Sequence, residues 1–403
     1  MDQLYKKNFG PLVARLARRY NCADITLIED IVQDTFLVAQ QQWPRDDPRN
    51  PSAWLYKVSA NIASKKIQTT TALASFPVES DSDWPTSAPA DIDDSAEVSI
   101  EFLTICASLP FSPKQQIIFA LRYAASFKIS QIAFVLGTSA ETISKILQRI
   151  KSKIKMKTPS NLYDAQVKEE DRLTVLKILY LMFNEGYKTS RGEEPINETL
   201  CADAFALTQS IVNNPKWSSK ESKALLALML YNLARFDARY NTEGEIVDLE
   251  AQNRANWNHD MIRVGNKYLK EAQKEDISTY HLEATIAYLH CAAPSFAETD
   301  WPAIIRIYEQ LAAFNKSPFV RLSLGIAQFY SGQTLKALRT LQELGSYVYI
   351  NNYYIYHTAL GKIFYELGDR EQSLAHLQQS LTLATSPIEK RHIDKIIRQI
   401  SKT

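Results

Sequence analysis

Residues 128–155, KISQIAFVLGTSAETISKILQRIKSKIK, constrain the fold more than any other stretch, because they spell out two helices and the turn between them. Ile129, Ile132, Ala133 and Leu136 recur at helical spacing and give a first helix one apolar face. Gly137 follows, where a helix end favours a residue that tolerates positive φ. Thr138 and Glu141 read as a capping box that opens a second helix. Ile143, Ile146, Leu147, Ile150 and Ile154 then form that helix's buried stripe. Its other face carries Thr142, Ser144, Lys145, Gln148, Arg149, Lys151 and Ser152, residue types that meet base edges and phosphates. Many small helical domains pack such a pair of helices, so charge must decide what this one faces.

The formal net charge of the 403 residues is +1, and that figure hides a segregation. Residues 1–70 hold 10 Lys/Arg against 7 Asp/Glu, residues 71–113 hold none against 8, and residues 114–157 hold 9 against 1. A block at +8 that coincides with the two helices is the footprint of a polyanion-binding surface. Cys22, Cys106, Cys201 and Cys291 are far apart and lack CxxC spacing, so they read as reduced thiols rather than a disulfide framework or metal site. The first twenty residues are amphipathic and unlike a signal peptide. No apolar run reaches membrane-spanning length, and the chain reads as cytoplasmic with no membrane partner.

Helical periodicity runs through residues 1–70. Phe9, Leu12, Val13, Leu16 and Tyr20 make one stripe, and Ile28, Ile31, Val32, Thr35, Phe36 and Ala39 make another. PRDDPRNP (44–51) must be a loop, and a further helix starts near Ser52. Residues 71–98, rich in Ser, Thr, Pro and Asp, predict an acidic flexible linker, with helices resuming near 99. Thr158–Pro159–Ser160 marks a junction, and the rest is helical with loops near 188–197, 213–219, 240–246, 292–300 and 315–318. Near the C-terminus Leu324-Gly325, Gly332, Ala337 and Leu341 recur at an offset of 36 as Leu360-Gly361, Gly368, Ser373 and Leu377. That period is close to the tetratricopeptide repeat (TPR) and keeps small residues where two helices cross.

Three segments in order resemble the extracytoplasmic-function sigma factors, bacterial subunits that direct RNA polymerase to promoters. Asp30-Ile31-Val32-Gln33-Asp34-Thr35-Phe36 is similar to the family's polymerase-docking signature, Trp54 to Asn61 to its −10-reading helix, and residues 129–151 to its −35-reading region 4 helix-turn-helix. Leu179–Tyr187, Leu249–Trp257 and Ala293–Trp301 resemble hallmark stretches of a subclass with a C-terminal TPR-like extension. The resemblance implies an all-α chain. Its parts would be sigma region 2 at 1–70, the linker at 71–98 in the RNA-exit path, region 4 at 99–157 and a TPR-like regulatory domain at 158–403. It also implies no cofactor and no membrane anti-sigma partner, with control resting in the extension and a protein partner of that domain possible. Around and after Asn61 the family's Arg-rich pattern is replaced by Ala60, Lys65, Ile67, Gln68 and Thr69, which predicts weak intrinsic −10 binding.

On this reading Asp30, Gln33 and Asp34 share a helical face that docks on core RNA polymerase. Arg45, Arg49 and Asn50 are candidates for a flipped −10 base, and Lys57, Asn61, Ser64, Lys65 and Lys66 for the strand beside it. Thr142, Ser144, Lys145, Gln148, Arg149, Lys151 and Ser152 face the −35 element, with Gln148 and Arg149 long enough to reach adenine and guanine edges. All six histidines lie in the C-terminal half, none in a metal-ligand spacing, and neither GxSxG nor a Gly-rich phosphate loop is present; the chain does not read as an enzyme. Arg254, Glu250, Glu185 and Asp300 form either a salt-bridge set or an effector site. The tyrosines at 347, 349, 353, 354 and 356 are packing or a binding surface. Two rivals remain: a stand-alone helix-turn-helix regulator with an effector- or protein-binding helical domain, and an enzyme or small-molecule receptor in residues 161–403.

Overall fold

A computed structural model describes residues 2–20, 25–44, 48–70, 92–156, 168–188, 196–273, 275–314 and 316–402. Among the described residues the chain is all-α, with nineteen helices, no strand and one isolated antiparallel bridge between Tyr240 and Ile246. No described helix is long and apolar enough to cross a membrane. Two compact units are present, Met1–Met182 and Phe183–Thr403, so the division falls inside helix α8 (Glu169–Tyr187) rather than near residue 158. Residues 71–91 of the expected linker, the junction at 158–160, Cys22 and Arg45 lie outside the described residues. Helix resumes at Ile92, earlier than the expected position near 99.

The first unit begins with α1 (Asp2–Arg19), α2 (Ile25–Gln42) and α3 (Pro51–Thr70). Both predicted stripes are buried except Tyr20, whose hydroxyl donates to the Ala60 carbonyl at 2.9 Å and ties α1 to α3. Thr35 sits within the stripe of α2 because its hydroxyl bonds the Ile31 carbonyl at 2.8 Å, leaving no polar atom unmatched. Pro51 opens α3 at a position where no N–H is needed, and Asn50 Oδ1 accepts the Ala53 N–H at 3.1 Å as its cap. Then come α4 (Ile92–Ser108), α5 (Pro113–Tyr123), α6 (Ile129–Val135) and α7 (Ala140–Met156). Gly10 of α1 lies against Ala124 just past α5, so close that a Cβ there would strike the Ala124 carbonyl.

In the second unit α10 (Lys220–Leu233) is buried from Ala224 to Tyr231 without a break, as a helix wrapped on all sides must be. The 36-residue repeat is realised as two helical hairpins, α14 (Pro318–Tyr330) with α15 (Thr334–Gln342) and α17 (Tyr354–Glu366) with α18 (Arg370–Leu383). Gly325 approaches Leu341 so that a Cβ would lie 2.5 Å from its Cδ2, and Gly361 approaches Leu377 with 2.7 Å to its Cγ. Gly332 and Gly368 take φ of +81° and +80° in the two equivalent turns, a conformation open to glycine at little cost. The same chemistry at the same offset therefore builds the same crossing twice. Between α10 and α11 (His259–Glu271) runs a longer non-α stretch than the loop expected at 240–246, holding two 3-10 turns at Asp237–Arg239 and Arg254–Asn256.

Candidate nucleic-acid and polymerase interface

The turn between α6 and α7 forms as its glycine dictates: Gly137 has φ of +61°, and the Thr138 N–H reaches back to the Ala133 carbonyl at 2.8 Å. The cap differs from expectation. Ser139, not Thr138, accepts the Thr142 N–H at 3.1 Å, and Glu141 instead pairs with Lys145 one turn on at 2.6 Å. The sequence offered two adjacent hydroxyls, and because α7 begins at Ala140 it is Ser139 that occupies the cap position. Ile143, Leu147 and Ile150 are buried. Thr142, Ser144, Lys145, Gln148, Arg149 and Ser152 are exposed on the opposite face, where Ser144, Gln148 and Arg149 make no side-chain hydrogen bond among the described residues.

Lys151 is the exception. It turns inward, half-buried, and donates to Glu29 Oε2 at 2.7 Å while lying 5.7 Å from the Tyr123 ring centre. Glu29 is buried at 6% exposure and also meets Arg122 at 3.4 Å and the Tyr123 hydroxyl at 3.3 Å. Burial and Glu29 push the Tyr123 phenol up to about 12. Burial pulls the Lys151 ammonium down, but Glu29 and Tyr123 outweigh it and raise the group. This cluster joins α2 to α5 and α7. Sequence reading missed it; the available signal was an acid on the apolar side of α2, between Ile28 and Val32.

On α2, Asp30 and Gln33 are exposed, and Asp34 is half-exposed in an ion pair with Lys66 of α3 at 2.6 Å. Two candidates assigned to different partners thus hold each other. Arg49 and Asn50 are exposed beside the start of α3, Asn50 serving as its cap, and Arg45 is not among the described residues. Lys57, Asn61 and Lys65 are exposed and Ser64 half-buried, all on one side of α3. Of the residues read as core, Leu55 is fully buried while Trp54 and Val58 are partly so, Trp54 packing edge-on to Trp43 at 5.4 Å.

In the second unit Arg254 donates to the carbonyls of His290 and Ala293, both at 2.5 Å, closing the end of α12 (Thr279–Ala292). Asp300 accepts the Ala303 N–H at the start of α13 (Trp301–Phe314), Glu250 is exposed and Glu185 is buried. For Arg254 and Asp300 the structure gives capping tasks rather than a shared effector site. The tyrosine run also divides: Tyr356 is core, Tyr347 is exposed, and the Tyr354 hydroxyl donates to Glu389 at 2.5 Å. No group of three or more His, Cys, Asp or Glu side chains among the described residues is arranged to hold a metal.

Residues 6–71, spanning α1 to α3, match the family model described as Sigma-70 region 2. Residues 172–273 match that of a family of unknown function (DUF6596). An uncharacterized protein of Rhizobium meliloti (strain 1021) is 29% identical over 379 residues, which is 92% of this chain and 89% of its own length. No solved structure matches. The first match supports a sigma-70-type factor, a role in transcription initiation and binding to core RNA polymerase.

Proposed function

We propose that this chain is a sigma factor of the extracytoplasmic-function type, acting in the cytoplasm, which carries its own regulatory domain. Asp30, Gln33 and Asp34 on α2 dock on core polymerase; Arg45, Arg49, Asn50, Lys57, Asn61, Ser64, Lys65 and Lys66 engage the −10 element. Ser144, Gln148 and Arg149, flanked by Thr142, Lys145 and Ser152, read the −35 element, and Lys151 joins them once released from Glu29. The repeat-bearing second unit is a TPR-like module that modulates this activity through a protein partner or its own contacts. The match of residues 6–71 to Sigma-70 region 2 carries the reading, and the open polar face of α7 supports it.

Run-off transcription with purified core polymerase tests it, because a sigma factor converts a non-specific enzyme into one that starts at defined sites. A promoter-specific product that needs both proteins is expected. One observation favours the stand-alone regulator instead: the docking acid Asp34 is held by Lys66 in its own body. Specific DNA binding without any polymerase-dependent product would establish that reading in place of the first.

A further inference from the structure

We propose that the second unit holds a receptor site for a small organic anion, a carboxylate on an apolar body about the size of one ring. The site is a cavity of about 240 Å³ walled by Ile326, Phe329, Tyr330, Ile355 and Ile393. Its size admits more than benzene, which fits an apolar cavity of about 150 Å³.

The charges that line it do not balance. Lys188, Arg239 and Lys362 face the space together with only two carboxylates, Asp248 and Glu389. Lys362 and His392 already hold Asp248, at 2.9 and 3.1 Å. Glu389 accepts the Tyr354 hydroxyl at 2.5 Å. The two remaining cations make no ion pair among the described residues. The Lys188 ammonium rests 5.2 and 5.3 Å from the ring centres of Tyr353 and Tyr354. Arg239 lies 4.3 Å from the centre of the Tyr187 ring and gives one N–H to the Tyr187 carbonyl at 2.8 Å, leaving its other donors unspent.

Glu389 lies close enough to favour the Lys188 charge, so three cations against two carboxylates leave one positive charge without a counterpart. A half-buried excess charge costs the fold stability, and an anion arriving from solvent offsets that cost. Burial, opposed by Glu389 and reinforced by Arg239, brings Lys188 down to about 8, so it still carries its charge at neutral pH. Asp248 and Glu389 close by would repel a second negative charge, which favours a monocarboxylate over a phosphate ester. The lining comes from the end of α8, the stretch after α10, α14, α17 and α19 (Pro387–Lys402), so an occupant cross-links the repeat to the rest of its unit.

The test uses the full-length protein and calorimetric titration of benzoate, phenylacetate, salicylate and hexanoate. Benzyl alcohol and benzylamine serve as neutral and cationic controls of equal size. At least one carboxylate should bind saturably and raise Tm, and neither control should. Lys188→Met and Arg239→Met should each weaken it at least about tenfold, the worth of one charge-assisted contact. Ala359 of α17 also lines the cavity, so Ala359→Phe, which fills the space and keeps every charge, should abolish binding with helicity unchanged. The proposal is overturned if no carboxylate in the set binds saturably up to about 10 mM, a limit near −2.7 kcal/mol. Equal binding of benzyl alcohol, or undiminished binding by the cavity-filled variant, overturns it as well.

Discussion

Glu29 in the first unit and Asp248 in the second are both acids that gather basic side chains from distant parts of the chain, yet they hold very different things together. Glu29 collects Arg122 of α5 and Lys151 of α7 onto α2, whose outer face offers Asp30 and Gln33 to solvent. Asp248 collects Lys362 of α17 and His392 of α19 and thereby fixes the wall of a cavity. Around Asp248 the repeat supplies an apolar core, including Leu341, Leu344, Leu360 and Ile363, so the ion cluster is one restraint among many. Around Glu29 the short contact of α2 with α7 is made through the Lys151 ion pair, while α1 also packs along α4 and meets α5, with Gly10 against Ala124. A polar tie of this kind is released by a competing partner far more readily than an interdigitated core. On the proposed function the first arrangement suits parts that separate from one another, and the second suits a body that keeps its shape.

Reversing the first tie should have the largest effect. Glu29→Lys places a third cation among Arg122 and Lys151, and breaking such a buried cluster costs about 3–5 kcal/mol. The strain is relieved if α5 and α7 move away from α2. Hydrogen exchange on the full chain should therefore rise in α5 and α7 while α14, α15, α17 and α18 keep their protection. Protection unchanged in α5 and α7 would end the view of Glu29 as the tie.

Arg149→Ala should come next, with a loss near the roughly 1–3 kcal/mol of one base contact, read as relaxed promoter choice in competition transcription. Unaltered choice would remove Arg149 from the reading face. A smaller loss, about 1–2 kcal/mol after discounting for the solvent-accessible part of the cluster, is expected for Asp248→Ala. Burial pulls the Asp248 carboxyl up, but His392 and Lys362 overcome it and hold the group well below the usual carboxylate range. A depressed folded value means the contribution is present above the unfolded value near ~4 and fades as pH falls through the folded one. Asp248→Asn should accordingly flatten the acid limb of thermal stability measured by circular dichroism. A steep limb in that variant would place the acid sensitivity elsewhere.

The two regions also differ in how far they could be read from the chain. The hairpins at 318–383 are legible because the crossing is written locally: a glycine, a turn glycine and two small or apolar residues recur at a fixed offset. The α6–α7 pair is legible for the same reason, down to Gly137; the choice between Thr138 and Ser139 as cap escapes, since both hydroxyls suit the role, and so does the inward turn of Lys151. Glu29 was not legible as a tie because its partners lie 93 to 122 residues away. Spacing on α2 could mark it as misplaced on an apolar face but could not name what it meets. The cavity was invisible for the same reason, being assembled from five separated segments. Arg254 looked like part of an effector site because its target is two backbone carbonyls, which no side-chain pattern announces.

The smallest structural effect carries the sharpest functional contrast. Asp34 and Lys66 are both half-exposed, so their pair contributes less than about 1 kcal/mol, and Lys66→Met should leave unfolding almost unchanged. Its two functional consequences should have opposite signs. Without Lys66 the Asp34 carboxylate is free for a basic partner surface, so the core-polymerase complex should tighten, by less than about tenfold. Loss of one cation near the DNA strand should at the same time lower the salt slope of −10 binding by about one charge. Fluorescence anisotropy with core polymerase and with a labelled −10 strand separates the two. A weaker polymerase complex would mean that Lys66 itself touches the enzyme, and the assignment of the α2 face to docking and the α3 face to DNA would have to be redrawn.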